Sequence, residues 1–274
     1  MISARTSPLF HAALICALVL ARPLLAQEAA PDQASQAAEL AKKLANPVAA
    51  LISVPFQENL DYGYANDGWR STLNIQPVIP ISLNEDWNMI QRVILPWIYQ
   101  DKVVGNTSQA GFGDTVSSTF FSPKAPTAGG LIWGVGPVFL LPTAGNDAFA
   151  GKQWGAGPTA LILVQDGPWT KGFLVNHIAS FAGSDSRAYI NATFLQPFLT
   201  YGAGKGRSYS FATESTYDWN NKQWTVPVIV SASQVMKFGD QLVSLGVGVK
   251  VYLDQPTGGP TWGLRFNLTL LFPK

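Results

Sequence analysis

Few residues in this chain are equipped for covalent or acid–base chemistry. The 274 residues include 2 histidines and 1 cysteine. His11 and Cys16 both fall in an apolar N-terminal run, so His177 is the imidazole to weigh. A histidine serves hydrolysis when a nucleophile and an orienting group stand within hydrogen-bond reach. Asn176 precedes it and Ser180 follows three positions on. In a strand, successive side chains alternate between faces, so both would point away from His177. That spacing does not build a Ser–His–Asn set, and His177 is expected to pack or to sit at an interface. Gly111-Phe112-Gly113-Asp114 has the glycine density of a phosphate loop. It lacks the following Lys-Ser and leads into a strand, so the phosphate reading fails, and Asp114 is expected to bond to backbone in a turn. Neither histidine nor carboxylate spacing suggests a metal ligand set, and no catalytic residue, metal or cofactor is implied.

The remaining candidates are the charges Arg92, Glu214, Asp218, Lys250 and Arg265, with Tyr252, spread through strand-like segments. What they do depends on what positions them. Only 13% of the residues are charged, about half the usual ~25%, so much of the surface is expected to avoid bulk water. Mean hydropathy is nonetheless only +0.13. Beyond the first 30 residues no apolar run approaches the roughly 18 residues of a membrane-spanning helix. The net charge of +1 argues against a nucleic-acid partner.

Residues 1–26 read as a signal peptide, with Arg5 before an apolar stretch, Pro23 after it and a cleavage site near Ala26. Its removal would leave a mature chain without cysteine. Residues 27–47 are Ala-rich and read as a periplasmic leader; a helix with Leu40 and Leu44 on one face would end at Asn46-Pro47. Two readings of this leader stand: a segment of little structure, or a helix that enters the downstream domain as a plug.

From Val48 to Lys274 the period changes from helix to strand. Leu73, Ile75, Ile79 and Ile81 share one face against Thr72, Asn74 and Gln76. Val243, Leu245, Val247, Val249 and Val251 oppose Ser244, Gly246, Gly248 and Lys250. Trp262, Leu264, Phe266, Leu268, Leu270 and Phe272 oppose Gly263, Arg265, Asn267 and Thr269. The segments around residues 131–141, 154–164, 209–219 and 224–233 alternate in the same way, and residues 48–56, 87–99, 114–121, 171–181 and 188–201 do so less regularly. The count is about 12 strands, each long enough to cross a bilayer at a tilt.

Two features separate a membrane barrel from a soluble one. The apolar face often ends in an aromatic: Trp87, Trp97, Trp133, Trp154, Trp219, Trp224 and Trp262 are the candidate interfacial girdle. The opposite face is polar or glycine, so it cannot be a hydrophobic core. The expected fold is all-β, a transmembrane antiparallel up-and-down barrel of about 12 strands behind a short helical leader. The charges above then line its lumen. Residues 57–68, 100–112 and 142–151 read as long outer loops, and most alternate connections as short periplasmic turns.

The motifs resemble a bacterial outer-membrane barrel family named for the meta-pathway of phenol degradation, whose members are described as transporters; relatives sometimes carry the label neuromedin U. The residues that carry the resemblance are Gly111-Phe112-Gly113-Asp114, Ile132-Trp133-Gly134-Val135-Gly136-Pro137 and Lys152-Gln153-Trp154-Gly155-Ala156-Gly157-Pro158. Gly167-Pro168-Trp169, Leu195-Gln196-Pro197-Phe198, Glu214-Ser215-Thr216-Tyr217-Asp218-Trp219 and Gly263-Leu264-Arg265-Phe266 complete it. The resemblance implies a Gram-negative outer-membrane barrel that passes small hydrophobic or aromatic molecules. It implies outer-membrane lipid and the barrel-assembly machinery as partners. Phe272 is followed by Pro273 and Lys274, which departs from the terminal aromatic of most such barrels. Three readings remain: a passive channel or transporter, a closed structural or adhesive barrel, and an outer-membrane enzyme.

Overall fold

The computed structural model describes residues 31–273, so the expected signal peptide lies outside them. One helix, α1 (Pro31–Leu44), precedes sixteen strand segments. They are β1 (Ile52–Tyr62), β2 (Trp69–Ile75), β3 (Val78–Ser82), β4 (Trp87–Asp101), β5 (Ser108–Phe112), β6 (Thr115–Pro123), β7 (Leu131–Leu141) and β8 (Gln153–Asp166). Then come β9 (Trp169–Gly183), β10 (Asn191–Gly204), β11 (Arg207–Thr213), β12 (Ser215–Asp218), β13 (Gln223–Thr225), β14 (Pro227–Phe238), β15 (Gln241–Tyr252) and β16 (Trp262–Phe272).

Four staves of the wall are made of two segments each: β2 with β3, β5 with β6, β11 with β12, and β13 with β14. The result is a closed antiparallel barrel of 12 staves. Closure is visible at both ends of the chain. β16 returns to pair with β1, from Ile52↔Phe272 to Tyr62↔Trp262. β10 pairs on one side with β9 and on the other with β11 and β12. The breaks fall where the ladder loses a donor or bends. Pro77 has no N–H and follows β2, while Glu214 separates β11 from β12 and donates its backbone N–H to Pro227 O (3.3 Å).

Alternation decides which residues meet lipid. Val247, Val249 and Val251 on β15 and Phe266 and Leu268 on β16 are exposed on the outer wall, while Lys250, Arg265 and Thr269 are buried inside. The start of β1, the end of β16 and the shorter turns lie at one end of the barrel, the periplasmic end of this architecture. The aromatic girdle is present at both rims. Trp87 meets Trp133 edge-on at 5.7 Å near the periplasmic rim, and Trp169 packs on Tyr201 at 4.8 Å. At the outer rim Tyr62 stacks on Trp262 at 4.8 Å and on Trp69 at 6.3 Å, Trp97 meets Phe112, and Tyr217 holds both Trp219 and Trp224. Trp154 is exposed at the same rim.

The first strand differs from its sequence reading. Residues 48–51 are not a strand but a turn folded into the lumen, capped by Asn46 Oδ1 accepting from Val48 N–H (3.0 Å). The strand instead runs on to Tyr62, so the outer loop shrinks to residues 63–68. Its alternation is obscured because Glu58 sits among Phe56, Leu60 and Tyr62 on the outer face, where it accepts from Ser71 Oγ (2.7 Å). The loop expected over residues 100–112 shrinks likewise, because β4 runs to Asp101 and β5 begins at Ser108.

Two apolar clusters fill the periplasmic half of the lumen. Val48, Ile90, Phe120, Leu161, Leu163 and Leu174 form one, with Val78, Ile132, Phe194 and Phe198 packed against it. Leu40 and Ala41 of α1, with Leu51, Val235 and Leu271, form the other. The leader is thus seated in the barrel mouth. Phe120 is 1% exposed. Phe120→Ala should therefore cost about 3–5 kcal/mol, read as a lower urea midpoint of the refolded barrel in detergent; a loss below roughly 1 kcal/mol would mean that the lumen is loosely packed there.

Candidate functional site

The lumen of the barrel is the candidate site, and the strand registers place its polar groups in rows. Gln100 on β4, Arg70 on β2, Asp61 on β1, Gly263 on β16 and Lys250 on β15 are successive cross-strand partners. Lys250 therefore reaches Asp61 across the intervening strand, Nζ to Oδ1 at 2.7 Å. Glycine at position 263 makes this possible. A Cβ there would lie 2.5 Å from Asp61 Oδ1 and 3.3 Å from Lys250 Cε. The Tyr252 hydroxyl donates to Asp61 Oδ1 (3.0 Å) and accepts from Lys250 Nζ (3.2 Å).

In the next row Arg265 faces Asn59 and donates Nε–H to Asn59 Oδ1 (2.8 Å). Its two terminal nitrogens fork onto Glu214, each at 2.7 Å. Glu214 reaches this point because it stands in the break between β11 and β12. The bidentate geometry is the strong form of a carboxylate–guanidinium contact. Arg92 donates to Gln76 Oε1 (2.7 Å). Arg70 donates to Gln100 Oε1 (2.9 and 2.6 Å), and Gln100 passes the chain on to Gln109 (2.8 Å). Above Arg70, the Tyr64 ring lies 5.5 Å from the guanidinium carbon. Burial pushes the Tyr64 phenol up to about 12, so it stays neutral beside the cation.

Five of the six lumen candidates come together. Arg265, Glu214, Lys250 and Tyr252 belong to one polar wall, and Glu214 lies close enough to act electrostatically on Arg92. Asp218 does not join them. Its carboxylate caps the outer turn, accepting from the backbone of Asn220 and Asn221 and from the Asn221 side chain. Sequence reasoning missed Asn59, Asp61, Arg70 and Gln100, and it put Gln76 on the polar face without a partner. The first three lay in or next to a segment read as loop; the recoverable signal was Gln57, Asn59 and Asp61 on one parity.

The leader completes the site. Val48 Cγ1 lies 3.3 Å from where a Gly134 Cβ would be, beside Phe120. Lys42 O of α1 accepts from Gln165 Nε2 (2.9 Å). Between α1 and the wall formed by β9, β10 and β11 runs an open cleft of about 410 Å³, lined by Lys42, Ala45, Gly202 and Arg207 among others.

On the outer wall His177 Nδ1 meets Thr193 Oγ1 at 2.9 Å, and that oxygen also accepts from Trp219 Nε1 (2.8 Å). The same-face residues two positions away along β9 are Val175 and Ala179. Ser180 bonds to Ile190 instead. Asp114 holds backbone, accepting from Ala144 N–H (3.1 Å) and Gly151 N–H (2.7 Å). No group of three or more potential metal ligands occurs among the described residues.

Comparison with solved structures finds the same barrel fold among bacterial outer-membrane proteins. An outer membrane channel from Pseudomonas putida F1 superposes with a TM-score of 0.63 over 81% of this chain and 94% of that one, at 15% identity. Outer membrane phospholipase A from Escherichia coli superposes with a TM-score of 0.48 at 10% identity, over 81% and 92% of the two chains. The calcium-bound outer membrane phospholipase dimer of Salmonella typhi gives 0.47 at 11% identity, over 81% and 91%. No protein-family model matches, and no curated protein matches.

The Arg265–Glu214 fork carries a specific energetic signature. Removing one partner leaves an unpaired buried charge and costs about 3–5 kcal/mol, whereas removing both is close to neutral. Arg265→Met should lower unfolding stability by that order, and adding Glu214→Leu should restore more than half of it. A double variant as unstable as the single would assign Arg265 a packing role independent of the pair.

Proposed function

We propose that this barrel is a passive channel for small molecules, closed in the structure by its own N-terminal segment. The observation that carries the reading is Val48. It is buried in the periplasmic half of the lumen against side chains from the wall, yet it belongs to a segment joined to the barrel only by β1 and by noncovalent packing. Such a stopper is removable without breaking the ladder. The likeness to an outer membrane channel supports the same reading at the level of the fold. So does the resemblance to the barrel family named for phenol degradation, which points to aromatic or hydrophobic solutes. Around the barrel, lipid covers the apolar wall, and the barrel-assembly machinery inserts it.

The second reading, a closed structural barrel, draws on the tight packing of Ile90, Phe120, Leu161 and Leu163, each no more than 1% exposed. An enzymatic role has less support. His177 has a hydroxyl neighbour in Thr193, but that oxygen is also held by Trp219, and among the described residues no third group orients the ring.

Conductance across planar bilayers separates the first two. The protein without its signal peptide should give rare or no steps, and deletion of residues 27–50 should give frequent discrete steps. A folded deletion variant that stays silent would favour the closed barrel and sink the channel.

A further inference from the structure

The lumen has two chemically different walls. One, on β4 and β6 to β10, is apolar: Ile90, Phe120, Leu161, Leu163 and Leu174 with Val78. The other, on β1, β2, β15 and β16, carries charge. Its signs do not balance. Among the described residues four cations face the lumen away from the end turns: Arg70, Arg92, Lys250 and Arg265. Only two carboxylates answer them, Asp61 and Glu214, and both are taken, by Lys250 and Arg265 respectively. Among the described residues neither Arg70 nor Arg92 has an ion-pair partner. Each is held by a neutral glutamine oxygen instead. An amide oxygen satisfies a donor but supplies no contact counter-ion; Glu214, already forked onto Arg265, acts on Arg92 only from a distance, and in a half-buried setting such a charge favours an anion.

Arg92 stands where the two walls meet. It is the next inward residue after Ile90 on β4, and its cross-strand neighbours are Val78 on β3 and Ser118 on β6. Its single side-chain bond uses one nitrogen, so most of its five N–H donors remain for a ligand. A planar guanidinium fork matches a carboxylate in two hydrogen bonds. Below it, the seat beside Phe120 and Gly134 is built for an apolar group and is filled by the Val48 side chain.

Resting on the reading of the lumen as a solute path, we infer that its solute is an amphipathic organic anion. Arg92 holds the carboxylate, and the apolar or aromatic body takes the seat that Val48 fills. The glutamine Gln76 positions the guanidinium and yields no charge to compete. The other cation without a contact counter-ion, Arg70, sits toward the outer rim under Tyr64, where it raises the local anion concentration without contacting the bound body. A neutral aromatic would find the same seat but gain nothing from Arg92, and an amine would be repelled.

The test is equilibrium binding, not conductance. Three probes share one body and differ in charge: 4-fluorobenzoate, 4-fluorobenzyl alcohol and 4-fluorobenzylamine, followed by fluorine NMR with the refolded full chain. The acid should bind at least tenfold more tightly than the alcohol, with the amine weakest. Val48→Ala, which loosens the stopper without removing it, should tighten the acid several-fold. Arg92→Gln should abolish the preference of acid over alcohol, Arg92→Lys should keep part of it, and Arg70→Gln should change it less than twofold. The proposal is overturned by equal binding of acid and alcohol, by a preference that survives Arg92→Gln, or by no binding of any probe to the full chain or to Val48→Ala. A silent barrel that still prefers the acid through Arg92 would remove the channel and keep the anion site. A conducting barrel without that preference would do the reverse.

Discussion

Every backbone N–H and C=O within hydrocarbon must find a partner in the protein, and a sheet meets that demand only by closing on itself. The seam from β10 to β11 and β12, and the return of β16 to β1, are therefore the contacts on which the rest depends. Closure converts alternation into a division of space. Odd and even positions of each stave go to lipid and lumen, and a polar residue's environment follows from its parity. Lys250 and Val251 are neighbours in sequence and face opposite solvents.

Division of space leaves the lumen with a problem of its own. Twelve staves enclose more room than side chains of one wall can fill, and this chain fills it in two ways. Long polar side chains bridge across strands, as Lys250 does over Gly263 and Arg265 does to Glu214. The N-terminal segment supplies the rest, with Val48, Leu51 and Leu40 completing clusters begun by the wall. Filling by ion pairs fixes the wall, because a lone charge there is costly. Filling by a tethered apolar segment is reversible, because the seat it leaves is complementary to any apolar body of like size. That asymmetry is what links the packing to the proposed channel.

The outer wall has its own polar exceptions. Glu58 with Ser71, Gln91 with Ser117 and Thr119, and His177 with Thr193 and Trp219 are all satisfied by neighbours on the same face. Each group stays within one or two strands of its partner, as it must where water cannot substitute. His177 is accounted for by this rule without a catalytic role.

Composition and parity were enough to determine the architecture. Low charge, strands of period two with glycine or polar residues on the inner parity, and aromatic strand ends leave a membrane barrel of about 12 strands, and the structure closes 12 staves. They also placed Arg92, Glu214, Lys250, Tyr252 and Arg265 inside. The partners of those charges were decided only by the tertiary structure, since cross-strand register joins residues as distant as Asp61 and Lys250, and a one-residue slip would separate them. The same holds for Asp218, whose parity is correct but whose position at the strand end ties it to a turn. Tertiary structure alone also turned residues 48–51 inward. Val48-Ala49-Ala50-Leu51 is apolar throughout and fits a buried strand or a buried turn, and local pattern carries no information about the empty lumen that selects the second.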